Sequence, residues 1–375
     1  MKPLCRASGN RFSNYELEDF VNIVLAGGGT AGHIEPALNL ADHLKLIDPN
    51  VNITVLGTAR GLESELVPAR GYKLELIPAV PLPRKLSGEL VTLPTRLRSA
   101  IAQTRNLLTD LQADVVVGFG GYVSIPAYLA ARGHFPIVVH EANARAGLAN
   151  RVGARFADAV AETVAGSLPR AQLIGIPLRK SIENLDREKS RNKAREFFGM
   201  PLAAKAILVF GGSQGSVKLN AGISDCLNND SLAQFAVIHI VGQKNEFQHP
   251  ASSSYFPLNY LDRMDLAYSA VDFVIARAGA MTVAEVTAAG LPACFVPLPI
   301  GNGEQSLNAQ PVVAAGGAVL ISDLEFTGDF VEKQILPILR DDSALAAMAT
   351  ASASLGHKNA AAALADLVLS VVRNT

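Results

Sequence analysis

His33 closes a glycine-rich run, Gly27-Gly28-Gly29-Thr30-Ala31-Gly32, set between an apolar stretch at 22–26 and an apolar helical stretch with Pro36 in its first turn. A neutral imidazole there could remove a proton from an attacking hydroxyl, with the positive end of the helix holding its pKa low. A histidine that only caps its turn would look the same. A second set lies further on. Apolar residues 271–276 lead to a turn at Gly279, then to helix formers, a stop at Gly290 and Pro292, and a second apolar run at 293–298. A helix that starts at a glycine turn offers unpaired N–H groups and a positive dipole end to a diphosphate. Glu285 lies three residues after Thr282 and four after Met281, so these side chains share one face near that end. An ionised carboxylate only accepts, and it could take both hydroxyls of a ribose. Gly301-Asn302-Gly303-Glu304-Gln305 then supplies a polar loop placed to touch whatever the diphosphate carries. Together these describe a nucleotide-sugar pocket, although a crossover whose helix merely packs shares the pattern.

Other chemistries fit less well. Gly27-x-Gly29-x-x-Gly32 satisfies a dinucleotide fingerprint, but the next strand ends Leu56-Gly57-Thr58-Ala59-Arg60, without the acid that would hold ribose hydroxyls. Arg60 would suit a 2′-phosphate, which keeps that reading open. No glycine turn carries the Lys-Ser/Thr of a P-loop, and no Gly-x-Ser-x-Gly elbow is present. Neither an Asp-x-Asp pair nor a histidine cluster offers to hold a metal. A departing diphosphate would then be neutralised by helix N-termini and Arg179. Asn143 can donate and accept at once, as sugar hydroxyls need, though asparagine at a turn is commonly turn chemistry.

Positioning these groups requires a repeated plan. Strand, glycine turn and helix recur at 22–26, at 114–118 and at 206–210, each half continuing with alternating strands and helices. The chain is therefore expected to be α/β, with two doubly wound Rossmann-like domains facing across a cleft and the ligand between their strand ends. Residues 1–20 read as a disordered lead-in without signal-peptide character, 21–180 as the first domain and 181–357 as the second. Residues 358–375 read as a terminal helix packing back on the first domain. The 375 residues are 49% hydrophobic and 18% charged, which suits well-buried domains. With 33 basic and 34 acidic residues, bulk charge gives no support for nucleic-acid binding. Cys5, Cys226 and Cys294 form neither a disulfide framework nor a metal spacing, which fits a reducing cytosol. No run approaches the ~18 apolar residues of a membrane span. Residues 82–105 interleave Arg84, Lys85, Arg96, Arg98 and Arg105 with leucines, valine and isoleucine. Such a stretch could lie on an anionic membrane surface or be an ordinary amphipathic helix with a solvated basic face.

Five motifs occur in one order: Gly28-Gly29-Thr30-Ala31-Gly32-His33, Gly118-Phe119-Gly120-Gly121-Tyr122, His140-Glu141-Ala142-Asn143, Gly211-Gly212-Ser213-Gln214-Gly215 and Arg277-Ala278-Gly279-Ala280-Met281-Thr282. As a set, from about Val21 to the C-terminus, the chain resembles the bacterial UDP-N-acetylglucosamine transferases that glycosylate undecaprenyl-diphospho-muramoyl-pentapeptide. The resemblance implies a GT-B fold and inverting transfer of N-acetylglucosamine to the 4-hydroxyl of the muramoyl unit, without cofactor or metal. It also implies peripheral attachment to the anionic cytoplasmic face of the plasma membrane, with 82–105 as the docking stretch and other cell-wall synthesis proteins as partners. Carried over by position, His33 matches the suspected base, and Thr30, Ala31 and Gly32 match the turn that meets sugar or diphosphate. Asn143 and Arg179 match further substrate contacts, Ser213 a diphosphate contact, and Leu261 a backbone contact to uracil. Ala280, Met281, Thr282, Val283, Ala284 and Glu285 match the donor helix, with Glu285 on the ribose, and Gln305 matches an amide that reads the sugar. Ala31, Ala142, Ile176 and Glu304 depart from the family's usual glycine, glutamine, asparagine and glutamine. An epimerase on the same plan, or a non-catalytic nucleotide-sugar-binding scaffold, remains a rival reading.

Overall fold

Apolar runs short enough for strands and bounded by glycine set the architecture. The computed structural model describes residues 20–59, 61–80, 89–212, 214–245, 247, 253–300 and 303–374, without the side chains of 89–92. Its first sheet has strands β1 (Asn22–Gly27), β2 (Asn52–Gly57), β3 (Lys73–Leu76), β4 (Val115–Gly120), β5 (Ile137–Glu141), β6 (Ala159–Glu162) and β7 (Gln172–Leu173). They run parallel in the order β3-β2-β1-β4-β5-β6-β7. The second sheet has β8 (Ala206–Phe210), β9 (Ala236–Ile240), β10 (Tyr255–Leu258), β11 (Phe273–Ala276), β12 (Ala293–Phe295) and β13 (Ala318–Leu320), parallel in the order β10-β9-β8-β11-β12-β13. Both faces of the central strands are buried, as Val24 with Leu25 and Leu208 with Val209 illustrate. That is why these strands read as continuous apolar runs and not as alternation.

Helices α1 (Ala31–Ile47), α2 (Glu63–Ala69), α3 (Glu89–Asp110), α4 (Ser124–Ala131) and α5 (Leu148–Gly153) belong to the first sheet's layers. The crossing to the second carries α6 (Lys180–Glu183) and α7 (Arg187–Phe197). Helices α8 (Val217–Asn228), α9 (Met264–Ala270), α10 (Ala280–Ala288) and α11 (Glu304–Ala314) follow β8, β10, β11 and β12. Strand order reverses between β1 and β4 and again between β8 and β11, which opens a crevice at the carboxyl ends of each pair. The glycine turns sit at these two switch points. The terminal helix, Ala360–Arg373, returns to the first domain, where Leu364, Ala365, Val368 and Leu369 pack with Ile23, Leu25, Leu38 and Leu40.

Several local expectations need correction. Pro36 falls in the second turn of α1, because the glycine turn is itself wound into the helix: Thr30 O accepts from His33 N and Ile34 N. Strand β10 went unrecognised because Pro257 interrupts it; at the sheet edge a missing N–H costs nothing. The charged residues after 181 form α6 and α7, within the span expected to open the second domain. Arg195 is fully buried, bonding Ala270 O at 2.9 Å and Asp272 Oδ2 at 3.2 Å, so α7 is bolted to the second domain. Within 82–105, Arg105 turns inward to the Ala130 carbonyl at the end of α4, while Arg96 and Arg98 are exposed. Residues 82–88, including Arg84 and Lys85, lie outside the described residues. So do Cys5, Arg60, Ser213, Gly301 and Asn302. Cys226 and Cys294 are buried free thiols. Among the described residues, no helix is long and apolar enough to cross a membrane.

Candidate active site

The first crevice is built backbone against backbone. A Cβ at Gly121 (φ +81°) would lie 2.2 Å from Gly28 O, and one at Gly29 (φ +91°) 2.7 Å from the Tyr122 ring. The β1–α1 and β4–α4 turns can therefore touch only as glycine. Beneath them Glu63, fully buried on α2, accepts from Gly29 N (3.0 Å), Thr58 N (2.9 Å) and Thr58 Oγ1 (2.9 Å). His33 sits in the first turn of α1 with Nδ1 3.2 Å from both Gly28 O and Thr30 Oγ1. A carbonyl oxygen only accepts, so Nδ1 carries the ring proton and Nε2 keeps its lone pair. Burial lowers the His33 pKa; the Gly28 bond and the Glu141 charge oppose it. A Cβ at Gly120 would come 3.3 Å from Nε2, so that glycine leaves the basic nitrogen approachable. Thr30 and Gly32 are exposed and Ala31 half-buried, at a helix start with no side-chain cap.

A buried polar network supports the next loop. Glu141 accepts from Asn143 N (2.9 Å), Gly147 N (3.1 Å) and Asn150 Nδ2 (2.9 Å), and Tyr128 donates to Asn150 Oδ1 (2.7 Å). His140 Nε2 lies 2.8 Å from Gly175 O, and burial pushes its pKa down to about 4, so this ring stays neutral. Asn143 meets the second domain through Asn308 of α11, whose Nδ2 donates to Asn143 Oδ1 (3.2 Å) and whose Oδ1 accepts from Ala144 N (2.8 Å).

Across the cleft, α10 begins at Ala280 behind Gly279, with no side chain on its first N–H groups. The helix splits its candidate residues. Ala280, Val283 and Ala284 line a largely apolar cavity of about 300 Å³ between the domains, with Pro311 of α11 beside them and Ala142 and Ile176 of the first domain opposite. Glu285 instead receives the Tyr268 hydroxyl at Oε2 (2.8 Å). Burial raises its pKa to about 7, against Tyr268 and Arg179. Met281 and Thr282 are half-buried. Gln305 Oε1 accepts from Leu298 N (3.0 Å). Arg277 draws the site together from below, donating to Val296 O (3.0 Å) and to Ser216 Oγ (2.8 Å), the side chain that caps α8. Arg179, just before α6, donates twice to Glu35 and once, at 3.3 Å, to Asp262 beside Leu261.

Two family models match in tandem, the glycosyltransferase family 28 N-terminal domain over residues 23–162 and its C-terminal domain over 206–364. A relative from Mycolicibacterium smegmatis is 54% identical over 376 residues, 97% of this chain and 97% of that protein. It is named UDP-N-acetylglucosamine–N-acetylmuramyl-(pentapeptide) pyrophosphoryl-undecaprenol N-acetylglucosamine transferase. The chain belongs to glycosyltransferase family 28. Among solved structures, MurG of Acinetobacter baumannii superposes with a TM-score of 0.77 at 28% identity, covering 93% of this chain and 99% of that one. A UDP-GlcNAc 2-epimerase from Neisseria meningitidis superposes at 0.66 with 16% identity, covering 94% and 100%, which is a likeness of fold alone. The GT-B plan expected from the motifs is the one observed, two parallel-sheet α/β domains in a family 28 chain.

The arrangement sets a basic nitrogen in one sheet's crevice and an uncapped helix start across the cleft, with Arg179 bridging Glu35 of the first domain and Asp262 of the second. Among the described residues, no group of three or more His, Cys, Asp or Glu side chains is placed to hold a metal. Sequence reasoning missed Glu63, Glu35 and Asn308. Asn308 alone carried a local signal, lying three residues after Gln305 on the same helix.

Proposed function

We propose that this chain transfers N-acetylglucosamine from UDP-N-acetylglucosamine to the 4-hydroxyl of the muramoyl unit of undecaprenyl-diphospho-muramoyl-pentapeptide, inverting the anomeric centre to a β-1,4 bond. Near-full-length identity of 54% to a transferase of that name is the observation that carries it. The donor lies on the second domain, its diphosphate at the N-terminus of α10 and at Arg179, its ribose on Glu285, its uracil at the Leu261 backbone and its sugar at Gln305. The acceptor diphosphate lies on the glycine turns about Thr30, Ala31 and Gly32. His33 Nε2 takes the proton of the 4-hydroxyl as its oxygen attacks the anomeric carbon and UDP departs. Gly28 O and Glu141 favour the resulting imidazolium. The leaving charge falls on helix N–H groups and Arg179, which are fixed before reaction. Ser213 is proposed as a further diphosphate contact and Asn143 as a sugar contact.

Attachment to the inner membrane surface is proposed through α3, where Arg96 and Arg98 are exposed, together with the adjoining residues 82–88. Incubation of the purified protein with labelled donor and lipid acceptor tests the whole reading. Labelled disaccharide lipid supports it. A modified sugar formed from donor alone indicates an epimerase, and binding without turnover indicates a scaffold; either result overturns the proposal.

A further inference from the structure

Glu35 faces the cleft from the second turn of α1, and nothing in the glycine motif singles it out. Its carboxylate is 13% exposed and takes Arg179 in a two-pronged contact, Nε to Oε2 at 3.3 Å and Nη2 to Oε1 at 3.1 Å. Arg70 of the α2 end shares it, Nη2 to Oε2 at 3.0 Å, and is itself tied to Asp42. The remaining arm of Arg179 reaches Asp262, whose side chain is 74% exposed. These two partners are unequal. A paired fork on a sheltered carboxylate fixes the guanidinium plane, whereas a single contact to an exposed aspartate contributes little. Asp262 is therefore the weaker of the two partners of Arg179 and Glu35 the stronger.

We propose that Glu35 is a positioning residue for the nucleotide-sugar: held on the first domain, it aims Arg179 at the donor diphosphate bound by the second. This rests on the reading of Arg179 as a donor contact. The same charges meet at the ribose carboxylate. Burial raises the Glu285 pKa to about 7 and the charge of Glu35 adds to that, while Tyr268 of α9 and Arg179 pull it down. The Arg179 guanidinium is held above its ordinary range: burial opposes its charge, and Glu35, followed by Glu285 and Asp262, outweighs burial. Glu35 thus acts on the donor site twice, through the direction of Arg179 and through the field at Glu285.

The test is calorimetric binding of UDP-N-acetylglucosamine to the full-length protein between pH 6 and 8.5, with melting temperatures and the acceptor KM measured alongside. Glu35→Gln is expected to raise the donor Kd about tenfold. Acceptor KM should stay within about twofold, because of the groups Glu35 contacts only Arg179 is assigned to a substrate, and that substrate is the donor. In the wild type the donor Kd rises as pH falls through about 7, where Glu285 takes a proton. In Glu35→Gln that limb moves to lower pH, since one negative charge facing Glu285 is gone; a purely structural role would not move it. Arg70→Gln, which touches Glu35 without touching Arg179, should leave both the Kd and the limb near the wild type. Glu35→Gln added to Arg179→Gln should cost nothing further. If Glu35→Gln melts too low to assay, Glu35→Asp is read instead, with a weaker Kd from the lost fork and an unmoved limb because the charge remains. Wild-type affinity and an unmoved limb in Glu35→Gln, or Arg70→Gln reproducing its defect, would overturn the inference. In the fallback, Glu35→Asp at wild-type affinity would do the same. Failure of the wild type to bind UDP-N-acetylglucosamine would instead overturn the functional reading beneath it.

Discussion

At the scale of residues, the two titratable groups proposed to meet substrate are tuned in opposite directions. His33 is driven toward its neutral form, so its basic limb should extend below pH 6.5. Glu285 ionises only as pH rises through about 7. With saturating donor and acceptor, kcat should therefore hold down to lower pH than kcat/KM for the donor, which should fall from about pH 7. Coincident limbs in the two profiles would contradict that separation. His33→Ala should lower kcat roughly 100-fold or more while leaving both KM values within a few-fold, the pattern of a lost general base. Near-full turnover in that variant would remove His33 from the reaction. Glu285→Ala should raise the donor KM more than the acceptor KM, and the donor-side limb near pH 7 should vanish with the carboxyl. A donor KM equal to that of the wild type would refute the ribose contact.

At the scale of elements, the first glycine turn is held from beneath by a buried carboxylate. Glu63 pins Gly29 and Thr58 from beneath, so Glu63→Ala strands a buried N–H and removes three bonds. A loss of about 2–4 kcal/mol in urea unfolding is expected, together with a raised acceptor KM. Unchanged unfolding would show that solvent replaces the carboxylate. Gly121→Ala should destabilise as well, because it combines φ +81° with a Cβ 2.2 Å from Gly28 O. The turns themselves were legible in the sequence, since apolar runs ending in clustered glycine permit few other readings. Their supports were not. The Glu63 bond to Gly29 spans 34 residues, that of Arg179 to Glu35 spans 144, and that of Ala144 to Asn308 spans 164. No local period records such partners. Strand β10 was hidden for a different reason: its edge position lets Pro257 and half-exposed side chains stand where a central strand could not carry them.

At the scale of the whole molecule, polar ties between the two domains among the described residues include Asn308 to Asn143 and Ala144 and Arg179 to Asp262. The terminal helix adds a covalent return path by burying Leu364 and Val368 in the first domain's core. Approach of the two halves is proposed to bring His33 toward the donor sugar. Asn308→Ala should loosen the ligand-free contact and raise KM for the donor sugar modestly; an unchanged value would confine Asn308 to packing. The motif order disclosed both domains and the family. The side of the cleft on which each group waits became visible only with the sheets in place, because Arg179 belongs by chain order to the end of the first domain and yet reaches Asp262 of the second. The central claim is that the departing UDP is held by the start of α10 and by Arg179, without a cation. A crystal structure with UDP-N-acetylglucosamine bound tests this most directly. It should show the diphosphate against the N–H groups after Gly279 and within hydrogen-bond reach of Arg179, in the crevice between the sheets. A diphosphate bound elsewhere, or chelated by a metal ion with Arg179 still on Asp262, would contradict it.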